Sequence, residues 1–152
     1  MIKVLLLVLP LLCVGCTYFQ NSYDKLVRCR PPANLKSLSG TYSAKNIGIN
    51  KYGKHVGTTT LIIDVDEDGV ITGQRSWSSD DHRGHDASGQ PVSRDQERLI
   101  GVFDSNDCEF GFADEKEHSI YRGRLLADGS IDLILIASGS RPLALINHYQ
   151  RK

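Results

Sequence analysis

From Leu38 onward the chain is a succession of short runs rich in β-branched and aromatic residues, separated by turn residues. Ser39 to Ser43 opens the series, followed by Thr58 to Val65, Val70 to Trp77 and Glu97 to Phe103. Cys108 to Ala113, His118 to Leu126, Ile131 to Ala137 and Leu143 to Gln150 complete it. Asp68-Gly69, Ser105-Asn106-Asp107 and Asp128-Gly129 stand between runs. Asp-Gly is a hairpin signal because glycine accepts positive φ without steric cost. In Glu97 to Phe103, Leu99, Gly101 and Phe103 fall on one face while Ile100 and Val102 fall on the other. No stretch beyond the N-terminal segment sustains an apolar period of 3.6 residues. The pattern predicts an all-β, up-and-down antiparallel meander of about eight strands. Closure into a small barrel would remove its two exposed edges. Runs such as Ile131 to Ala137 are apolar on both faces, which predicts an outer surface covered by the N-terminal tether or by a partner.

The residues before Leu38 follow a different logic. Lys3 supplies a positive start, and Val4 to Leu12 form an apolar run. That run falls short of the roughly 20 residues needed to cross a bilayer, so it reads as a cleaved export signal. Cys13-Val14-Gly15-Cys16 resembles the lipobox of bacterial lipoproteins, with Cys13 where leucine is usual. The resemblance implies cleavage before Cys16 and acylation of that cysteine by diacylglycerol and palmitate. Thr17, rather than aspartate, follows it; by the usual sorting rule this implies the periplasmic face of the outer membrane. The expected organisation is a lipoprotein signal peptide over 1–15, a lipidated tether over 16–37 and a β-barrel domain over 38–152. Pro31-Pro32 stiffens the tether, and ~20 flexible residues would span on the order of 25 Å.

Charge narrows the range of partners. The chain carries 18 basic and 18 acidic residues, and loss of the signal removes Lys3, leaving 17 basic residues. Such a balance offers no footprint for nucleic acid and no polybasic membrane patch. Membrane attachment is expected through the N-terminal lipid alone. Of four cysteines, Cys13 leaves with the signal and Cys16 carries lipid, so Cys29 and Cys108 are the disulfide candidates in an oxidising compartment. Paired, they would close a loop of about 79 residues, for which chain entropy gives roughly 4.5 kcal/mol as an upper figure. Unpaired, Cys108 would be a buried strand residue and Cys29 a free thiol in the tether.

Over residues 38 to 150 the pattern resembles an avidin-type barrel. The matching pieces are Leu38-Ser39-Gly40-Thr41-Tyr42, Asp68-Gly69-Val70-Ile71-Thr72-Gly73, Tyr121-Arg122-Gly123-Arg124 and Ala137-Ser138-Gly139. The resemblance is shared with lipocalin-like barrels and implies topology. A biotin site needs a box of several tryptophans, and this chain has only Trp77. Tyr121 and Ile134 stand where aromatic walls are expected, and Arg75 near an expected tyrosine. Biotin binding is therefore not expected.

Asp64 to Ile71 follows the first eight positions of a calcium loop, yet the twelfth position, which should be a bidentate carboxylate, is Arg75. A hairpin tip is the simpler reading. Asp80, Asp81, His82, His85 and Asp86 form the densest ligand-capable cluster, within a polar segment from Ser78 to Asp95. We expect this segment to be a loop that contacts a partner or ligand, with no metal assigned to it. No nucleophile elbow, phosphate-cradling loop or paired-carboxylate constellation is present, so no catalytic residues and no cofactor are expected. Tyr42, Trp77, Phe103, Phe110, Phe112 and Tyr121 are candidates to line a cavity or simply to fill the barrel. The expected function is binding of an envelope protein in an inhibitor, immunity or exclusion role. The alternatives are a lipocalin-like carrier of a small apolar or amphipathic ligand and a passive structural lipoprotein.

Overall fold

The computed structural model describes residues 30–80, 84–85, 91–116, 118–138 and 142–152. A 3₁₀ turn, Leu35–Leu38, precedes ten strands: β1 (Gly40–Asn50), β2 (Gly53–Val65), β3 (Val70–Ser79), β4 (Gly84–His85), β5 (Pro91–Val92), β6 (Arg94–Asp104), β7 (Glu109–Asp114), β8 (Ser119–Leu125), β9 (Ile131–Ala137) and β10 (Leu143–Arg151). Eight of them close a barrel in the order β1-β10-β9-β8-β7-β6-β3-β2, and β4 and β5 form a separate ladder. Every barrel pairing is antiparallel. The expected meander is therefore present and closed, which leaves its strands without a free edge.

Two segments differ from the pattern. The β1–β2 hairpin runs further than the apolar pattern reached, with Asn46 opposite Gly57 and Gly48 opposite His55. Its inward positions hold small and polar residues in place of aliphatics, so hydrophobic alternation carries no signal there. The polar connection between β3 and β6 contains the short β4–β5 ladder, where Gly84 faces Val92 and His85 faces Pro91. Expectations for Asp81, His82 and Asp86 fall outside the described residues, as do those for residues 1–29.

At one end of the barrel lie the 3₁₀ turn and the β2–β3, β6–β7 and β8–β9 turns. Gly69 and Gly129 adopt φ of +83° and +81°, the left-handed region that glycine enters freely. Asp66 Oδ1 accepts the backbone N–H groups of Asp68 at 2.9 Å and Val70 at 2.8 Å. This carboxylate, part of the calcium-loop-like stretch, thus closes the hairpin tip. Cys108 sits in the β6–β7 turn at φ +56°, is buried and is disulfide-bonded. The other three cysteines lie outside the described residues.

The interior is graded from end to end. Near the 3₁₀ turn it is apolar, filled by Leu38, Val65, Ile71, Phe103, Phe110, Leu125 and Ile131. Phe103 and Phe110 lie tilted with ring centroids 4.7 Å apart. The Tyr42 hydroxyl donates to the Leu38 carbonyl at 2.8 Å, which seats the turn across this end. Toward the other end, where the β3–β6 connection leaves, buried Asn46, His55, Thr59, Arg75, Ser79, Asp114, Ser119 and Asn147 replace aliphatics. An eight-stranded barrel has room mainly for its own side chains, so this exchange of apolar for polar filling needs a reason.

Candidate functional site

Two features rise above a packed barrel: an apolar outer face and a polar cluster inside. The outer face follows from strand register. Ile49, Ala144, Ile136, Ile120, Ala113 and Ile100 stand in one cross-strand row over β1, β10, β9, β8, β7 and β6. A second row runs through Ile47, Ile146, Ile134, Arg122, Gly111, Val102 and Val70. The isoleucines and valines of both rows are 49 to 67% exposed. Because side chains alternate across each strand, these positions are the outward partners of the inward Leu99, Phe112, Tyr121, Leu133, Leu135 and Leu145. Beyond Glu109 at its start, strand β7 contributes only Gly111 and Ala113 outward, so the wall sinks there into a groove of about 700 Å³. Val70, Ile100 and Val102 flank it on one side and Ile120 on the other, with Asp104, Glu109 and Arg122 at one end. Arg122 Nη2 pairs with Glu109 Oε2 at 2.8 Å. The outer surface of β2 and β3 is different: there Thr58 and Ser78 share a hydrogen bond of 2.7 Å among other hydroxyls.

Inside the barrel, Arg75 on β3 faces Glu97 on β6. Arg75 Nη1 donates to Glu97 Oε2 at 2.9 Å and Oε1 at 3.2 Å. The Trp77 indole N–H donates to Glu97 Oε1 at 2.9 Å, and the Tyr121 hydroxyl donates to Oε2. One carboxylate therefore gathers three donors. The guanidinium also lies over the Tyr121 ring, 5.7 Å from its centroid. Burial by itself would draw the Arg75 pKa down, but Tyr121, Glu97 and Tyr149 beside it prevail and hold it above the ordinary arginine value. Thr59 Oγ1 donates to the Ser76 carbonyl at 3.0 Å and lies 3.1 Å from the Tyr149 hydroxyl.

Of the cavity candidates, Tyr42, Phe103, Phe110, Phe112 and Tyr121 are all buried side chains of the core, and Trp77 is half-buried inside the polar half. Asp80 is exposed at the end of β3, and its N–H donates to the Val56 carbonyl at 3.0 Å. The backbone of His85 lies in the β4–β5 ladder. Among the described residues no group of three or more His, Cys, Asp and Glu is placed to hold a metal, and no helix is long and apolar enough to cross a membrane. Sequence reasoning missed Glu97, Asn46 and Asn147. Their signal was present as phase: Glu97 and Asn147 share a strand face with the core residues Leu99 and Leu145 two positions away, and Asn46 with Ala44, which packs against the core.

The interior tyrosines make stability sensitive to alkali. Burial pushes the Tyr121 hydroxyl well above the ordinary value of 10.0; Arg75 opposes this and Glu97 adds to it. Burial likewise raises Tyr42, against Arg151. Above pH 10 the unfolded chain gives up these protons while the folded barrel keeps them, so stability falls as pH rises. Each such group contributes a slope of about 1.4 kcal/mol per pH unit. Urea unfolding between pH 9 and 11.5 should show a shallower decline in Tyr121→Phe than in the parent. Equal slopes would mean that Tyr121 ionises freely in the fold.

No family model and no curated protein matches the chain. Among solved structures it is similar to the crystal structure of Rv2717c from M. tuberculosis, with 14% sequence identity and a TM-score of 0.40, covering 77% of this chain and 95% of that one.

Proposed function

We propose that this chain is a lipoprotein of the bacterial envelope, held through Cys16 at the periplasmic face of the outer membrane, whose barrel binds a protein partner. The role that fits is inhibition, immunity or exclusion, with no chemistry performed by the barrel. One observation carries the reading: a continuous outward aliphatic face that crosses most of the barrel wall. Single exposed isoleucines are ordinary, but contiguous apolar patches beyond a few hundred Å² are rare on monomers and mark interaction sites. The strands hold this face rigid, so little entropy is lost on docking. The groove over β7 gives it relief, and the charged end at Glu109 and Arg122 gives it direction. The alternative of a carrier for a small apolar ligand gains nothing from an interior whose apolar half is filled by its own side chains and whose other half is polar.

Photo-crosslinking in intact cells tests the docking face. A benzophenone side chain at Ile120 or Val102 should yield a discrete heavier adduct with another envelope protein, and one at Thr60, on the hydroxyl-bearing side, should not. Adducts equal at all three positions, or none at Ile120 and Val102, would refute the assignment. An adduct of twice the chain mass would replace the foreign partner with a second copy.

A further inference from the structure

We infer that the polar half of the barrel interior is a binding site for a small uncharged molecule with a carbonyl beside an N–H, of the carboxamide or lactam class. The central residue is Asn147 on β10. It is fully buried, and neither its Nδ2 nor its Oδ1 meets a hydrogen-bond partner among the described residues. A buried amide left so is costly, and native interiors rarely tolerate one without a purpose. Its cross-strand neighbour is Asn46, itself held only by long contacts. Asn46 Nδ2 donates to the Thr58 carbonyl at 3.4 Å, and its Oδ1 accepts from Arg75 Nη2 at 3.5 Å. Arg75 Nε, also buried, has no acceptor among the described residues.

These unmet groups specify a guest, which enters by parting the side chains that pack over them, since Asn147 and Asn46 expose no surface in the structure. Asn147 offers one acceptor and an N–H donor on the same planar amide, which a cis amide or lactam edge matches with two parallel hydrogen bonds. Arg75 Nε adds a donor for the guest carbonyl. The arginine charge is already neutralised by Glu97, so an anionic guest would unbalance a site that is neutral at present. Trp77 and Glu97 stand between these groups and the end of the barrel where the β3–β6 connection leaves. Trp77 is half-buried and the Glu97 side chain is 14% exposed, so this end of the site keeps contact with solvent. A polar interior also costs stability that an aliphatic one would supply, as binding sites commonly do. The site is separate from the outer face, and the two can fail independently.

The test uses the full-length protein, ¹⁵N-labelled, with 2-pyrrolidinone as probe. The Asn147 side-chain amide and the Trp77 indole N–H should shift and saturate together during the titration. In Asn147→Leu the indole shift should disappear, while the melting temperature rises by roughly 4 °C because the unpartnered amide is gone. The proposal falls if no saturable shift appears, if the indole shift survives unchanged in the variant, or if the variant melts lower than the parent. The last result would show that the fold itself satisfies the amide.

Discussion

Replacing Glu97 with alanine should lower the free energy of unfolding by about 3–5 kcal/mol, the usual cost of removing one partner of a buried ion pair. The Arg75 side chain is only 3% exposed, so its charge would be left in the barrel without a counter-ion. The same carboxylate accepts from the Trp77 indole and the Tyr121 hydroxyl, and both would lose their acceptor. Guanidinium unfolding followed by the fluorescence of Trp77, the only tryptophan, measures the loss. A destabilisation below about 1 kcal/mol would show that water reaches Arg75 in the folded state and that the cluster is not closed.

The double variant separates the worth of the pair from the cost of breaking it. Arg75→Met with Glu97→Leu removes both charges and keeps the volume. Its stability should recover part of the Glu97→Ala loss, because desolvating two charges consumes most of their attraction. The rest is the cost of the Trp77 and Tyr121 donors, which Glu97→Leu also leaves without an acceptor. If the double variant is as poor as Glu97→Ala, the pair is a structural necessity. If it recovers, the cluster persists for a reason other than stability, such as the interior binding proposed above.

Much of the barrel could be read from residue type and period. Leu99 and Phe103 are buried and Ile100 and Val102 exposed, as alternation required. Asp68-Gly69 and Asp128-Gly129 make their turns because only glycine takes positive φ there without strain. The two-faced apolar character of Ile131–Ala137 likewise appears as buried Ile131, Leu133 and Leu135 beside exposed Ile134 and Ile136, an apolar outer surface. Its extent could not be read, because Ile136 meets Ile120 and Ile146 meets Ile47 only through register, which no local pattern encodes. The interior site was hidden for a related reason. Arg75 stood out in the sequence as a misfit in a calcium loop, and phase alone places it inside. That Glu97 lies opposite it, and that Asn147 comes to the level of Asn46, depends on strands brought together by closure. The length of the β1–β2 hairpin escaped because Asn46, Gly48, His55 and Gly57 occupy its inward positions.

Cys108→Ala should destabilise the barrel by about 4 kcal/mol, close to the chain-entropy figure for a loop of about 79 residues. Cys108 is disulfide-bonded, and we propose Cys29 as its partner. Tryptic digestion without reduction tests this directly. Cleavage after Arg28 and Lys36 releases 29–36, since Arg30 precedes proline, and this peptide should appear joined to 99–116. Cys29→Ala should then cost as much as Cys108→Ala, because either change opens the same loop. The bond also bears on function. If Cys16 carries the proposed lipid and Cys29 the proposed disulfide, 12 residues separate the two attachment points, and a flexible chain of that length spans on the order of 20 Å. Reduction would lengthen that reach and loosen the orientation in which the aliphatic face meets a neighbour. A map joining Cys108 to Cys16 instead would leave no thiol for acylation, and the proposed membrane anchor would fall along with the proposed pairing.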